Sequence, residues 1–281
     1  MLAGHNLRAG RIDRRAAFRI SAVEFCLCLC AWTFYCTHRA TFFEVTVFVY
    51  AVGWSMVMAG LVWLLYVGLD PFIRRRWPHA IISLSRIVDG RIRDPLVARD
   101  MLIGIAASLV YAVLSVLELQ VNGMRARTAF DGASAFGGAG VVAGHLAYDA
   151  EVTIWITLVI FCLVFLFRLA LRRSWLVAAV LISFFAIVGA LNGHGSAITT
   201  VLVAADFGIQ FLVLLQFGLF PFMVLSFLGP VWRELAYSPD LSKWYALPSV
   251  VILALTIAIA VWAFRRTLPD RKFISDRFLY E

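Results

Sequence analysis

DPFIRRRWPHAIISLSRIVDGRIRDPLVARD, residues 70–100, is the long polar interruption in the first half of an otherwise apolar chain. It sets Arg74, Arg75, Arg76, Arg86, Arg91, Arg93 and Arg99 against Asp70, Asp89, Asp94 and Asp100. An apolar run long enough to cross a bilayer lies on each side of it. Short arginine-rich loops are not readily moved across a membrane, so this stretch is expected to stay in the cytoplasm and to fix the topology of the rest. Pro71 and Pro78 bracket the arginine triplet and are expected to stop any continuous helix. Between Ala80 and Val88, apolar and polar residues recur at helical spacing, which suits a short helix in the inner headgroup layer.

Composition points the same way. Of 281 residues, 62% are hydrophobic and 15% charged, whereas the apolar share of a soluble domain is about half. The expected fold is all-α: a polytopic transmembrane helical bundle of about seven or eight spans. It forms one domain over residues 16–281, behind a basic cytoplasmic leader at 1–15. The net charge of +8 is assigned to loop arginines facing anionic lipid headgroups. Nucleic acid is not expected as a partner, because the positive residues sit at helix ends and form no separate polar face.

The five cysteines, Cys26, Cys28, Cys30, Cys36 and Cys162, fall inside or at the edges of apolar runs. On a helix Cys26 and Cys30 share a face and Cys28 points elsewhere. That spacing matches no zinc motif, so they read as small buried apolar residues. The first apolar run follows a basic leader, as in a signal peptide, but no small-x-small cleavage site follows it; an uncleaved span is expected.

Taken in order, the expected spans cover about 16–36, 42–68, 101–121, 151–171, 174–191, 198–216, 217–236 and 245–264. The arginine-rich segment 70–100 is cytoplasmic and the glycine-rich segment 122–150 external in this scheme. Within the latter, residues 132–144 suit an interfacial or re-entrant piece, and the GxxxG of Gly140 and Gly144 allows close backbone approach. The run 198–228 leaves two alternatives open. As one helix it gives seven spans and puts Arg265, Arg266, Arg271 and Lys272 outside. Broken near Gln216 and Gly218, with Pro221 opening the next helix, it gives eight spans and returns both termini to the cytoplasm.

The run LVWLLYVGLDPFIRRRWPHAIISLSRIVDGRIRDPLVARDMLIG, residues 61–104, resembles a segment in the membrane-embedded C-terminal half of a group of bacterial serine/threonine protein kinases, of the kind found in acidobacteria. NLRAGRIDRRAAFR, residues 6–19, looks like the join between the two halves in that group, and DLSKWYALPS, residues 240–249, like the approach to its last helix. The resemblance implies a bacterial inner-membrane protein whose soluble kinase partner sits on the cytoplasmic side. A kinase domain needs a glycine-rich loop, a strand lysine, an HRD-type catalytic loop and a DFG-type metal ligand. None of these is read in the chain, so the resemblance implies the membrane half without its catalytic half.

Two acids fall at membrane depth: Glu24 in the first span and Asp206 in the sixth, with Gln210 one turn from Asp206 on the same face. An ionisable group there costs on the order of 2.5 to 3.5 kcal/mol unless it has a partner or water. Glu24, Asp206 and Gln210 are therefore the candidate intramembrane polar site; the plain reading is a protonated or hydrogen-bonded packing group. Arg168 is expected to snorkel to the headgroups. His145 and Asp149 share a helical face, a weak arrangement for a metal, with Glu151 off that face and no HExxH present; no metal or cofactor is assigned. Ser83 and Ser85 could take a phosphate, although solvated loop serines are the plainer reading.

No catalytic residue is assigned either, since no Ser/His/Asp order, GxSxG elbow or aspartate-rich motif is present. The expected function is a non-catalytic membrane anchor or sensor module associated with serine/threonine kinase signalling. Its cytoplasmic interaction loop would carry Arg74, Arg75, Arg76, Arg86, Arg91 and Arg93, and its partners would be anionic lipid and a kinase or a second copy. The alternative is a small transporter or channel subunit using the buried acids. In both, apolar helices and oriented arginines account for the chain and leave no residues for a reactive centre.

Overall fold

Uncharged runs of leucine, isoleucine, valine and phenylalanine can satisfy their backbone groups in lipid only by forming helices, and among the described residues these runs do so. A computed structural model describes residues 14–121, 138–191, 196–234, 242–243 and 246–268. Among them are α1 (Arg14–Tyr35), α2 (Phe43–Arg76), α3 (Ile82–Val88), α4 (Pro95–Val121), α5 (Gly138–Leu171), α6 (Ser174–Leu191), α7 (Ala197–Phe217), α8 (Leu219–Glu234) and α9 (Ala246–Thr267), with a 3-10 turn at Pro78–Ala80. The chain is an all-α membrane protein. Helices α1, α2, α4, α5, α7 and α9 are each long and apolar enough to cross a bilayer, while α6 and α8 are shorter apolar helices.

Local chemistry sets the helix ends. Asp94 caps α4: its Oδ1 accepts from the Leu96 N–H at 3.0 Å, and Pro95, which lacks an N–H, occupies the first turn. Helix α3 closes with Gly90 N–H to Ile87 O (2.9 Å) and Arg91 N–H to Arg86 O (2.8 Å), the paired bonds of a Schellman end. Between α7 and α8 the chain turns at the single residue Gly218, whose φ is +100°. A Cβ there would lie 2.6 Å from the Ala80 carbonyl oxygen, so only glycine fits both the dihedral and the contact. The break expected near Gln216 and Gly218 is present.

Contacts between helices place the ends of the bundle. Arg19 donates to the Val88 carbonyl at 2.7 Å, bringing the start of α1 to the end of α3. The Arg168 guanidinium lies 4.4 Å from the Trp77 ring centroid, bringing the end of α5 to the end of α2. Gly218 abuts Ala80 in the same region. At the opposite end, a Cβ on Gly144 would lie 2.5 Å from the Tyr35 backbone nitrogen, so α5 begins where α1 finishes. Helices α1, α2 and α5 pack together, α4 packs along α8, α7 and α9, and α5 also touches α8. One core, including Val62, Trp77, Phe161, Val164, Leu214 and Phe222, runs between them. Outward faces stay apolar, with Trp54 at 61% and Met56 at 62% exposure on α2; an apolar surface this continuous needs lipid to cover it.

Several expectations need correction. Pro71 does not stop α2, which runs on to Arg76. Proline removes one donor but leaves the rest of the ladder intact, and it is Pro78 that ends the helix by forcing Trp77 out of helical dihedrals. The segment 70–100 is therefore partly a helix end and partly the compact α3 turn, packed on the bundle through Ile81, Ser83 and Leu84. The helix expected to start at 151 starts earlier: residues 138–150 form the first turns of α5, which reward glycine because Gly144 must pass close to α1. Gly140 has nothing within 4 Å of a built Cβ and makes no close approach. Cys26, Cys30 and Cys36 are exposed on outward faces; Cys28 is buried. The leader 1–13, the rest of the glycine-rich segment and the Arg74, Arg75 and Arg76 side chains lie outside the described residues.

Candidate functional site

Helix α1 carries Glu24 and Cys28 one turn apart, so both side chains leave the same face. That face packs on α2 and α5, and α5 presents Glu151 to it. One carboxylate oxygen each from Glu24 and Glu151 and the Cys28 sulfur lie within 4.8 Å of one another. Glu24 is 0% exposed, Glu151 4% and Cys28 7%. The thiol is in hydrogen-bonding reach of Glu151 and of Ser55 on α2, and the Ser55 hydroxyl donates to the Ala51 carbonyl at 2.7 Å. Neither Glu24 oxygen has a hydrogen-bond partner among the described residues. Packing three helices thus brings together acids that sit far apart in the chain.

Asp206 belongs to a different place. It lies on α7, where Gln210 donates to its Oδ2 at 3.0 Å, and the nearby charges are Glu118 and Arg233. Gln210 also lines a cavity of about 210 Å³ with Tyr111, Asp149, Ser226 and Pro230. Of the residues expected to form one site, then, Asp206 and Gln210 meet and Glu24 stands apart with Glu151. Two positions on α5 separate Asp149, which faces the cavity, from Glu151, which faces Glu24. His145 lies 3.9 Å from Asp149, as their shared face implies, and stacks on Tyr35 and Tyr148.

Comparison with family models, curated proteins and solved structures finds no match.

The basic end forms a third constellation. Arg86 meets Asp94 at 2.5 Å, and Arg99 donates to Asp100 through Nε at 3.0 Å and Nη2 at 2.8 Å. Partial burial pushes the Asp94 carboxyl up, but the Leu96 N–H, the Arg86 guanidinium and the Arg91 charge together hold it below the usual aspartate range. Arg91 and Arg93 are exposed. A cavity of about 580 Å³ opens among Trp77, Phe165, Arg168, Leu169 and Arg172. Arg168, expected to reach for headgroups, lies with its guanidinium over the Trp77 ring. Ser83 is buried and donates to Asp100 at 2.5 Å, and Ser85 donates to the Ile82 carbonyl, so Ser83 is not a solvated loop residue.

The tripeptide Asp206, Phe207, Gly208 spells the DFG sequence, contrary to the reading that no kinase element is present. It lies within the unbroken helix α7, with Phe207 stacked on Phe185 at 4.5 Å. Its aspartate points to Gln210 in an apolar bundle, with no nucleotide loop facing it among the described residues, so it does not supply the missing catalytic set.

The Glu24 and Cys28 spacing was readable in the sequence as an i, i+4 pair on one helix. Their third member, Glu151, was not, because nothing local in α5 marks which neighbour it faces.

Proposed function

We propose that this chain is a non-catalytic membrane module of the bacterial inner membrane. It acts as an anchor or sensor for a serine/threonine kinase, with its basic end and both termini in the cytoplasm. The observation that supports this most is the gathering of Arg19 from α1, Arg86 from α3, Arg99 from α4 and Arg168 and Arg172 from the end of α5 around Trp77 and α3. Guanidinium groups concentrated at one end of a bundle favour the cytoplasmic leaflet and its anionic headgroups. The link to a kinase comes from the resemblance over residues 61–104. It is tested by reading the DNA that adjoins the Met1 codon: an in-frame or adjacent kinase supports it, and unrelated neighbours refute it.

A second reading, a small transporter or channel subunit, is favoured by the cavity that Tyr111, Asp149, Gln210 and Ser226 share with apolar side chains, with Gln210 linking it to Asp206. Buried ionisable groups beside a cavity are where proton or ion pathways run. Purified protein in liposomes would then move protons or a solute and lose that flux on Asp206→Asn. No flux, or full flux in the variant, removes this reading.

A further inference from the structure

The Glu24 carboxylate stands apart from Asp206 and its cavity. It is fully buried, both of its oxygens lack hydrogen-bond partners among the described residues, and it faces a second buried carboxylate and a thiol. Counting from Arg14 at about 1.5 Å per residue places it roughly 15 Å into α1 from the basic end, deep in the apolar bundle. Two carboxylates this close and this buried cannot both stay charged without a cation between them. No arginine, lysine or histidine is among the groups acting on Glu24 or Cys28. The missing positive charge must therefore come from outside the side chains or be supplied by protons.

We propose that Glu24, Cys28 and Glu151 form an intramembrane binding site for a divalent transition-metal ion, with zinc the best match. One thiolate and two carboxylates suit a borderline-soft ion that accepts both sulfur and oxygen, and they disfavour magnesium and calcium, which take oxygen alone. The donor atoms come from α1 and α5, so the ion ties the two helices that Gly144 already brings into contact at their far end. Ser55 positions the thiol from α2 and completes the wall of the site. Binding displaces the protons that otherwise keep the cluster neutral. Three protein ligands leave a fourth position on a tetrahedral ion, the pattern of exchangeable sites and not of closed structural ones. The inference does not depend on a kinase partner or on transport.

The test uses the full chain, expressed with zinc supplementation, purified in detergent without chelators and assayed for bound metal by mass spectrometry. Cobalt loading gives a second readout, the sulfur-to-cobalt charge-transfer absorption in the near ultraviolet. Stoichiometric zinc in the unaltered chain, lost in Glu24→Gln and Cys28→Ser but kept in the outward-facing Cys26→Ser, is the expected result, with the cobalt band lost in Cys28→Ser. Wild-type protein that holds neither zinc nor cobalt overturns the proposal and leaves a pair of carboxyls sharing protons. Zinc content unchanged in both Glu24→Gln and Cys28→Ser also overturns it. The wild-type measurement decides the matter even where a variant fails to fold.

Discussion

The Ser83 hydroxyl donates to Oδ2 of Asp100 at 2.5 Å, with both side chains buried, and so fixes the short helix α3 against the start of α4. A hydrogen bond to a charged group is worth about 1.5 to 3 kcal/mol, more than a neutral one. Ser83→Ala should lower stability by about that amount, measured as a shift in thermal or detergent-induced unfolding. Ser85→Ala removes only a local bond to Ile82 and should cost less than about 1 kcal/mol. Equal effects would mean that α3 is not held through Asp100. The same burial predicts that a kinase will not phosphorylate Ser83 while the bundle is folded.

Glycines separate into those that matter and those that do not. Gly218→Ala meets both a left-handed dihedral and the Ala80 carbonyl and should destabilise by more than about 1 kcal/mol. Gly144→Ala forces α5 away from the Tyr35 backbone, an overpacking cost of about 1 to 3 kcal/mol. Gly140→Ala, with open space around it, should be neutral or slightly stabilising because alanine is the better helix former. Unfolding midpoints of the three variants should rank in that way, with only Gly140→Ala at or above the unaltered chain.

These glycines also show where sequence reading succeeds. The turn at Gly218 was legible because an apolar run too long for one span must break, and a glycine three residues before Pro221 marks the place. The start of α5 was not legible. Repeated glycines lower the helix propensity of the run, and only packing against Phe34 and Tyr35 makes the absent side chain of Gly144 an advantage. Pro71 misled for a similar reason: the apolar drive of a long helix outweighs one missing donor. The polar cluster was half visible, since Glu24 and Cys28 share a face by spacing while Glu151 reaches them only through the packing of α1 on α5.

His38 titrates above its usual value. The Glu44 carboxylate holds its Nδ1 at 2.5 Å, and the Thr33 carbonyl lies 2.9 Å from Nε2; both favour the protonated ring, and the first is the larger effect. A histidine whose folded pKa is raised contributes stability that is fully present below its unfolded pKa and lost as pH rises through the folded one. The α1–α2 turn should therefore loosen on going from mildly acidic to neutral and mildly alkaline pH. Ring-proton NMR should place the His38 midpoint above 6.5 and return it toward that value in Glu44→Gln. A midpoint at or below 6.5 in the unaltered protein would show that the His38–Glu44 pair does not form.

The central claim is that the arginine-bearing end of the bundle faces the cytoplasm and that the chain crosses an even number of times. A topology reporter fused after Arg266, compared with one inserted at Arg39 in the opposite turn, tests it most directly. The account predicts cytoplasmic activity at Arg266 and periplasmic activity at Arg39. Periplasmic activity at Arg266 would contradict it, leaving an odd number of crossings or an inverted bundle.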